Sequence, residues 1–249
     1  MRLTLEIWRQ ENAAASGHWE RFEMDGLEGS MSVLEMLDRL NEDLVNAGRE
    51  QVTFESDCRE GICGACGIVV NGLAHGPERN TPACHQRLRS FRDGQKVRIE
   101  PLRSASYPVL RDLMVDRAAL DRIITAGGHV AIDAGTAPDA DSVPVDHATV
   151  EKALDFAACL GCGACVAACP NGSAHLFLGA KLMHMSLLPL TAEERDRRAR
   201  AMVDVAEAEF GPCSSYGECA IACPASIPLA AVAAVNHERI RAAARRRLD

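Results

Sequence analysis

Apolar and polar residues alternate in two segments near the start of the chain. Residues 3–8 (L-T-L-E-I-W) alternate strictly and residues 18–24 (H-W-E-R-F-E-M) more loosely, with the period of two that is typical of a half-buried β-strand. Residues 67–70, which precede an Asn-Gly turn, and residues 96–100 (K-V-R-I-E) also fit strands. The pattern therefore predicts a small sheet in the first part of the chain.

The period changes to that of a helix between Ser30 and Gly48. Four leucines share one helical face: Leu34, Leu37, Leu40 and Leu44. Ser32, followed three residues later by Glu35, forms a capping box at the start, and Gly48 is a typical stop. We predict one helix among the strands of an α+β domain at residues 1–105.

After Arg103 the predicted elements are nearly all helices. Their segments are 111–125, 146–157, 172–188, 192–209 and 228–246. The stretch 127–144 is rich in Gly, Pro and Asp and therefore indicates a loop or connector. We predict an inter-domain connector at residues 106–150 and an all-α domain at residues 151–249.

Eleven cysteines fall into three groups along the 249 residues, and none is left over. The groups are Cys58, Cys63, Cys66 and Cys84; Cys159, Cys162, Cys165 and Cys169; and Cys213, Cys219 and Cys223. They are too sparse for a disulfide scaffold in a chain of this size. Clustering at fixed spacing instead indicates metal binding, and we expect the protein to reside in the reducing cytosol.

Charge and hydropathy exclude two classes of protein. The formal net charge of −8, without a basic stripe bearing aromatic residues, argues against nucleic-acid binding. The longest apolar stretches, around 176–190 and 227–235, are interrupted or shorter than the ~20 residues that a membrane span needs. The chain enters its alternating segment directly after Met1, so we also expect no signal peptide.

The first cysteine group has the spacing C-x4-C-x2-C, with a fourth member further along. Plant-type ferredoxins use this spacing to surround a 2Fe–2S cluster with four thiolates. The predicted ligands are Cys58, Cys63, Cys66 and Cys84. Glycines at 61, 64 and 67 would let backbone N–H groups approach the sulfur atoms closely. A zinc ribbon is the alternative, although zinc ribbons favour two C-x2-C pairs.

Residues 159–170 read C-x2-C-x2-C-x3-C-P, and residues 213–224 repeat this run with Tyr216 in place of the second cysteine. In two-cluster bacterial ferredoxins the fourth cysteine of such a run, before Pro, binds the other cluster. The predicted 4Fe–4S ligands are therefore Cys159, Cys162, Cys165 and Cys223. The remaining three thiolates indicate a 3Fe–4S cluster: Cys169, Cys213 and Cys219. A 4Fe–4S cluster with an open iron that binds substrate is the alternative.

The sequence contains no nucleotide-binding loop and no Ser/His/Asp grouping on a recognisable motif. Three redox centres without a substrate site indicate a protein that carries electrons between partners, so we predict no catalytic residue. The predicted fold class is α+β. An N-terminal plant-type ferredoxin (β-grasp) domain is followed by an all-α bacterial-ferredoxin-like domain.

Three features together resemble one known family over nearly the whole chain. The motif D-C-R-E-G-I-C-G-A-C at 57–66, the segment Y-P-V-L-R-D-L-M-V-D at 107–116 and the two Cys-Pro runs are similar to the iron–sulfur subunit of succinate dehydrogenase and fumarate reductase. The resemblance implies that electrons enter from a FAD-containing subunit, pass 2Fe–2S, 4Fe–4S and 3Fe–4S clusters, and reach quinone at membrane-anchor subunits, with or without haem. It also implies a peripheral position on the cytoplasmic face of the cytoplasmic membrane.

Two departures from the family pattern stand out. The gap between Cys66 and Cys84 is longer than the family leads us to expect, and the second run is followed by P-N-G-S-A-H without the Trp that family members often have there. Quinone-contacting residues are therefore not assigned. Two other functions are alternatives: the electron-wiring subunit of another flavin-dependent oxidoreductase complex, and a zinc-stabilised interaction module.

Overall fold

The computed structural model describes residues 1–129 and 145–245. A sheet region occupies the N-terminal part and a helical region the C-terminal part. Within the described residues, no helix is both long and apolar enough to cross a bilayer.

The N-terminal region is built on a five-stranded mixed sheet. Its elements in chain order are β1 (Leu3–Arg9), β2 (His18–Met24), α1 (Val33–Asn46), β3 (Ile68–Val70), β4 (Leu73–Ala74) and β5 (Gln95–Pro101). The strand order is β2-β1-β5-β3-β4. Strand β1 runs parallel to β5, and the other neighbouring strands are antiparallel. Alternate residues of β1 are fully buried, as the period of two predicts.

Helix α1 has the predicted capping box and the predicted apolar face. The Glu35 amide donates to Ser32 Oγ at 3.2 Å, and the Glu35 carboxylate accepts from the Ser32 amide in return. All four leucines of the predicted face are buried, and they join the alternating residues of β1 in one apolar core. The helix prediction is confirmed.

The C-terminal region contains helices and one short hairpin. Its elements are β6 (Val109–Arg111), β7 (Met114–Val115), α2 (Ala118–Ile123), α3 (His147–Ala157), α4 (Ala164–Ala167), α5 (His175–Leu187), α6 (Ala192–Glu209), α7 (Glu218–Ile221) and α8 (Ala230–Arg245). Helix α2 continues into a π-helical turn at Ile124–Gly128. Helix α5 is buried on most of its surface and packs against α3, α6 and α8.

The predicted helix at 111–125 is wrong over its first seven residues, which belong to the β6–β7 hairpin and the approach to α2. Asp112 has a φ of 45° and forms the turn of this hairpin. Its buried carboxylate accepts from the amides of Gln10 at 3.0 Å and Thr53 at 2.8 Å. Because these hydrogen bonds come from the sheet region, they override the local helical pattern.

The two regions have separate apolar cores, and the segment 107–115 contributes to both. Tyr107, Val109 and Val115 pack in the helical core, whereas Leu113 packs in the sheet core. The domain boundaries predicted above remain a prediction, and one part of the predicted connector, residues 130–144, lies outside the described residues.

Replacing Gly179 with Ala should destabilise the helical region. A Cβ atom at Gly179 would lie 1.9 Å from the carbonyl oxygen of Ala231, so α5 and α8 would have to separate. Overpacking of this kind costs ~3 kcal/mol at the upper end, and the better helix propensity of Ala returns ~1 kcal/mol. We therefore expect the free energy of unfolding to fall by about 2 kcal/mol in denaturant titrations followed by circular dichroism.

Gly48→Ala is the control, because its added methyl group meets no atom within 4 Å and tests only the cost of a φ of 66°. That cost is ~1 kcal/mol. Unchanged or higher stability of the Gly179→Ala variant would contradict the close approach of α5 and α8.

Candidate functional site

The first cysteine group surrounds one small cavity. Leu34 of α1 lines it together with all four predicted ligands: Cys58, Cys63, Cys66 and Cys84. The first three of these thiols lie on one loop. The loop is tied to α1 because the Arg59 guanidinium donates to both carboxylate oxygens of Asp38. The structure thus brings Cys84 to the other three across a gap of seventeen residues.

Backbone N–H groups of the first loop point at its sulfur atoms. The amides of Glu60 and Cys63 donate to Cys58 Sγ at 3.3 and 3.4 Å, and the amide of Ala65 donates to Cys63 Sγ at 3.4 Å. The amides that donate to Cys58 lower its pKa to about 7, whereas burial raises the pKa of Cys66 to about 12. The loop is therefore arranged to stabilise negative charge on Cys58.

The long gap before Cys84 is a folded loop organised by two side chains that the sequence did not single out. Gln86 is fully buried, donates to the carbonyl oxygens of Glu78 and Thr81 at 2.8 and 3.1 Å, and accepts from the Glu78 amide. His75 Nδ1 accepts from the Ala83 amide at 3.2 Å, and burial lowers the pKa of His75 to about 4. Both side chains fix the backbone next to Cys84.

The second cavity is lined by the first three cysteines of the intact run and by one from the third group: Cys159, Cys162, Cys165 and Cys223. Apolar residues, among them Leu176, Phe177 and Ile227, form much of the remaining wall. The Ile227 amide donates to Cys223 Sγ at 3.4 Å. Burial raises the pKa of Cys162 to about 12, so these thiolates need positive metal charge to balance them.

The third cavity, of about 460 Å³, contains the other three thiols: Cys169, Cys213 and Cys219. The Ser215 amide donates to Cys213 Sγ at 3.4 Å. Tyr216 lines the same cavity but is 62% exposed, so its ring stands at the rim. Asn171 ties the two runs together by donating to Pro212 O at 3.1 Å and Ser214 Oγ at 2.7 Å.

The arrangement of the thiols bears on the zinc alternative. A single zinc ion draws its thiolates to ~2.3 Å from one centre. Among residues 1–129 and 145–245, no three His, Cys, Asp or Glu side chains are grouped so as to hold one metal ion. The thiols predicted to share a cluster instead line a common cavity, four at the first, four at the second and three at the third.

Comparison with known protein families defines the class of protein to which this chain belongs. Residues 4–122 match the model of a 2Fe-2S iron-sulfur cluster binding domain, and residues 158–227 match that of a 4Fe-4S dicluster domain. Together with the cysteine-lined cavities, these matches define an iron–sulfur protein with two cluster-binding regions.

Individual relatives are similar along most of the chain. The succinate dehydrogenase iron-sulfur subunit of Bacillus subtilis is 30% identical over 242 residues, covering 93% of this chain and 90% of that protein. The fumarate reductase iron-sulfur subunit of Escherichia coli O6:H1 is 27% identical over 236 residues, covering 92% and 90%. This chain belongs to the family of succinate dehydrogenase and fumarate reductase iron–sulfur subunits.

A solved structure described as the Mycobacterium smegmatis Sdh1 complex in the apo form contains a chain of the same fold. Its TM-score is 0.67 at 22% identity, and the match covers 98% of this chain and 96% of that one.

Replacing Cys223 with Ser should damage the second cluster, although Cys223 belongs to the third group in sequence. The reason is its place in the second cavity. We expect the electron paramagnetic resonance (EPR) signal of the reduced 4Fe–4S cluster to weaken or change shape first. Cys219→Ser is the matched control and should instead alter the signal of the predicted 3Fe–4S cluster, because Cys219 lies in the third cavity. Damage confined to the 3Fe–4S signal in Cys223→Ser would refute the pairing.

Proposed function

We propose that this chain is the electron-transfer subunit of a succinate dehydrogenase or fumarate reductase (quinone) complex. It passes electrons from a FAD-containing subunit through 2Fe–2S, 4Fe–4S and 3Fe–4S clusters to a quinone at a membrane anchor. The observation that carries this proposal is the set of three thiol-lined cavities, with four, four and three cysteines, in a chain of this family. A bound iron–sulfur cluster supplies reversible one-electron transfer.

The proposal assigns every cysteine to a cluster. The 2Fe–2S cluster takes Cys58, Cys63, Cys66 and Cys84; the 4Fe–4S cluster takes Cys159, Cys162, Cys165 and Cys223; and the 3Fe–4S cluster takes Cys169, Cys213 and Cys219.

We also propose that the sheet region is a plant-type ferredoxin (β-grasp) domain at 1–105 and that the helical domain at 151–249 is bacterial-ferredoxin-like. The parallel β1–β5 pair beside a single helix supports the former. The repeated helical turns α4 and α7, each inside a Cys-Pro run, support the latter.

The solvent exposure of the three cysteine sites is consistent with electron transfer from one site to the next. Cys63 is exposed and the neighbouring Ile62 is 66% exposed, so a redox partner can approach the first site. Three of the four thiols at the second site are buried. The third site has an exposed apolar rim formed by Tyr216 and Leu229. An electron can thus enter at one open end and leave at the other while the middle site stays shielded from water.

The proposed partners follow from this arrangement. A FAD-binding subunit would approach the first site, and membrane-anchor subunits, with or without haem, would cover the apolar rim of the third site and hold the quinone. The chain would then lie peripherally on the cytoplasmic face of the cytoplasmic membrane, held there by its partners.

The complex purified through a tag on this chain should oxidise succinate with a quinone or reduce fumarate with a quinol. The chain alone, loaded with clusters, should do neither, because it would lack the flavin and dicarboxylate site. Cys219→Ser within the complex should lose quinone turnover while electron entry from succinate to an artificial dye persists. Succinate oxidation by the isolated chain would contradict the assignment.

Tyr216→Cys should convert the terminal cluster to 4Fe–4S. The wild-type phenol is a poor substitute for a thiolate, the ligand that holds iron–sulfur clusters. A fourth thiolate adds negative charge, so the midpoint potential should fall, and every ~59 mV makes the electron transfer tenfold less favourable. We expect EPR of the oxidised complex to lose the 3Fe–4S signal and quinone reduction to slow.

Tyr216→Phe is the control for this substitution. It keeps the ring at the rim of the cavity without offering a ligand, so the 3Fe–4S signal and the potential should stay close to wild type. A wild-type complex with two 4Fe–4S spectra and no 3Fe–4S signal would overturn the three-iron interpretation.

A further inference from the structure

Arg117 joins the loops of the first and second cysteine sites. It stands immediately before α2, and its side chain is only 18% exposed. One terminal nitrogen, Nη1, donates to Gly64 O at 2.6 Å and to Cys162 O at 3.1 Å. The other, Nη2, donates to Glu55 Oε2 at 3.1 Å and to Ala65 O at 3.4 Å. A single side chain therefore bonds the backbone of both loops.

The two loops also touch directly beside this guanidinium. A Cβ atom at Gly64 would lie 2.3 Å from Leu160 O, and one at Gly67 would lie 3.3 Å from Cys162 O. Gly64 has a φ of 72°, a conformation that favours glycine. No side chain at position 64 can thus stand between the loops, and the backbone of one packs on the backbone of the other.

Arginine fits this task better than lysine does. Its planar guanidinium offers five N–H donors in a rigid fork, so it can serve several carbonyl oxygens that face it from two sides. A lysine ammonium at the same position would be a point charge with three donors on one atom. It could replace Nη1 between Gly64 O and Cys162 O, but it could not also serve Ala65 O and Glu55 Oε2, which Nη2 bonds.

We infer that Arg117 is a positioning residue that sets the spacing between the 2Fe–2S and 4Fe–4S sites, and through it the rate at which electrons pass between them. The inference rests on the proposed function, because it presumes that both sites carry clusters. Electron tunnelling weakens steeply with distance, so a clamp on the two cluster loops bears directly on this step. Glu55 offsets the charge of Arg117, which leaves geometry as its main contribution.

The test compares three variants in the assembled complex. Arg117→Met removes the clamp and the charge, and Arg117→Lys keeps the charge but loses the fork. Arg122→Met is the control, since Arg122 follows on the same helix, is half exposed and pairs only with Glu209 among the described residues. The readouts are the magnetic dipolar interaction between the two reduced clusters, measured by pulsed EPR, and the midpoint potential of each cluster.

We expect Arg117→Met to show a severalfold loss of dipolar interaction and slower transfer between the clusters. Arg117→Lys should show a smaller loss with little change in the potentials, and Arg122→Met should match wild type. If the complex with Arg117→Met does not assemble, the complex with Arg117→Lys provides the test of the inference. Dipolar interaction equal to wild type in an Arg117 variant that retains both cluster signals would overturn the inference. Wild-type protein without the two signals would instead refute the proposed function.

Discussion

The crossing of the two Cys-Pro runs is the constraint on which the helical region depends. Each run places cysteines in two cavities: Cys169 of the first run lies with Cys213 and Cys219, and Cys223 of the second lies in the cavity of the first. Neither cavity is complete until both runs have packed against each other through α4 and α7. The hydrogen bonds of Asn171 to Pro212 and Ser214 fix this packing, and the longer helices enclose it.

Each site is lined by several thiols, and the groups around them affect the charge of those thiols. Burial raises the pKa of Cys162 and Cys165, so uncompensated thiolates would be costly there. Cluster iron would supply the positive charge, and backbone N–H groups aimed at Cys58, Cys213 and Cys223 add to it. Such donors are among the influences that set cluster potential, so the loops that hold the thiols also bear on their redox behaviour.

Contact between the sheet region and the helical region combines directed contacts with apolar packing. Its directed part consists of backbone touching backbone at Gly64 and Leu160, a guanidinium shared between loops, and the carboxylate of Asp112 reaching back to the sheet. A small buried apolar cluster that includes Leu102, Cys162 and Ala164 also joins the two regions. The hydrogen bonds have a defined direction and therefore favour a single arrangement. A relay needs such an arrangement because transfer between centres depends steeply on their separation.

The sequence by itself determined the features that arise from local chemistry: the alternation of β1, the capping box and leucine face of α1, the three cysteine groups, and the crossover grouping implied by the two Cys-Pro runs. These depend on residues a few positions apart, whose spacing fixes their geometry. Only the tertiary structure decided that residues 109–115 form a hairpin, that Gln86 and His75 build the long loop before Cys84, and that Arg117 spans two loops. Each of these depends on a buried polar group finding partners far away in the chain or outside its own element, and no local periodicity encodes such a partner.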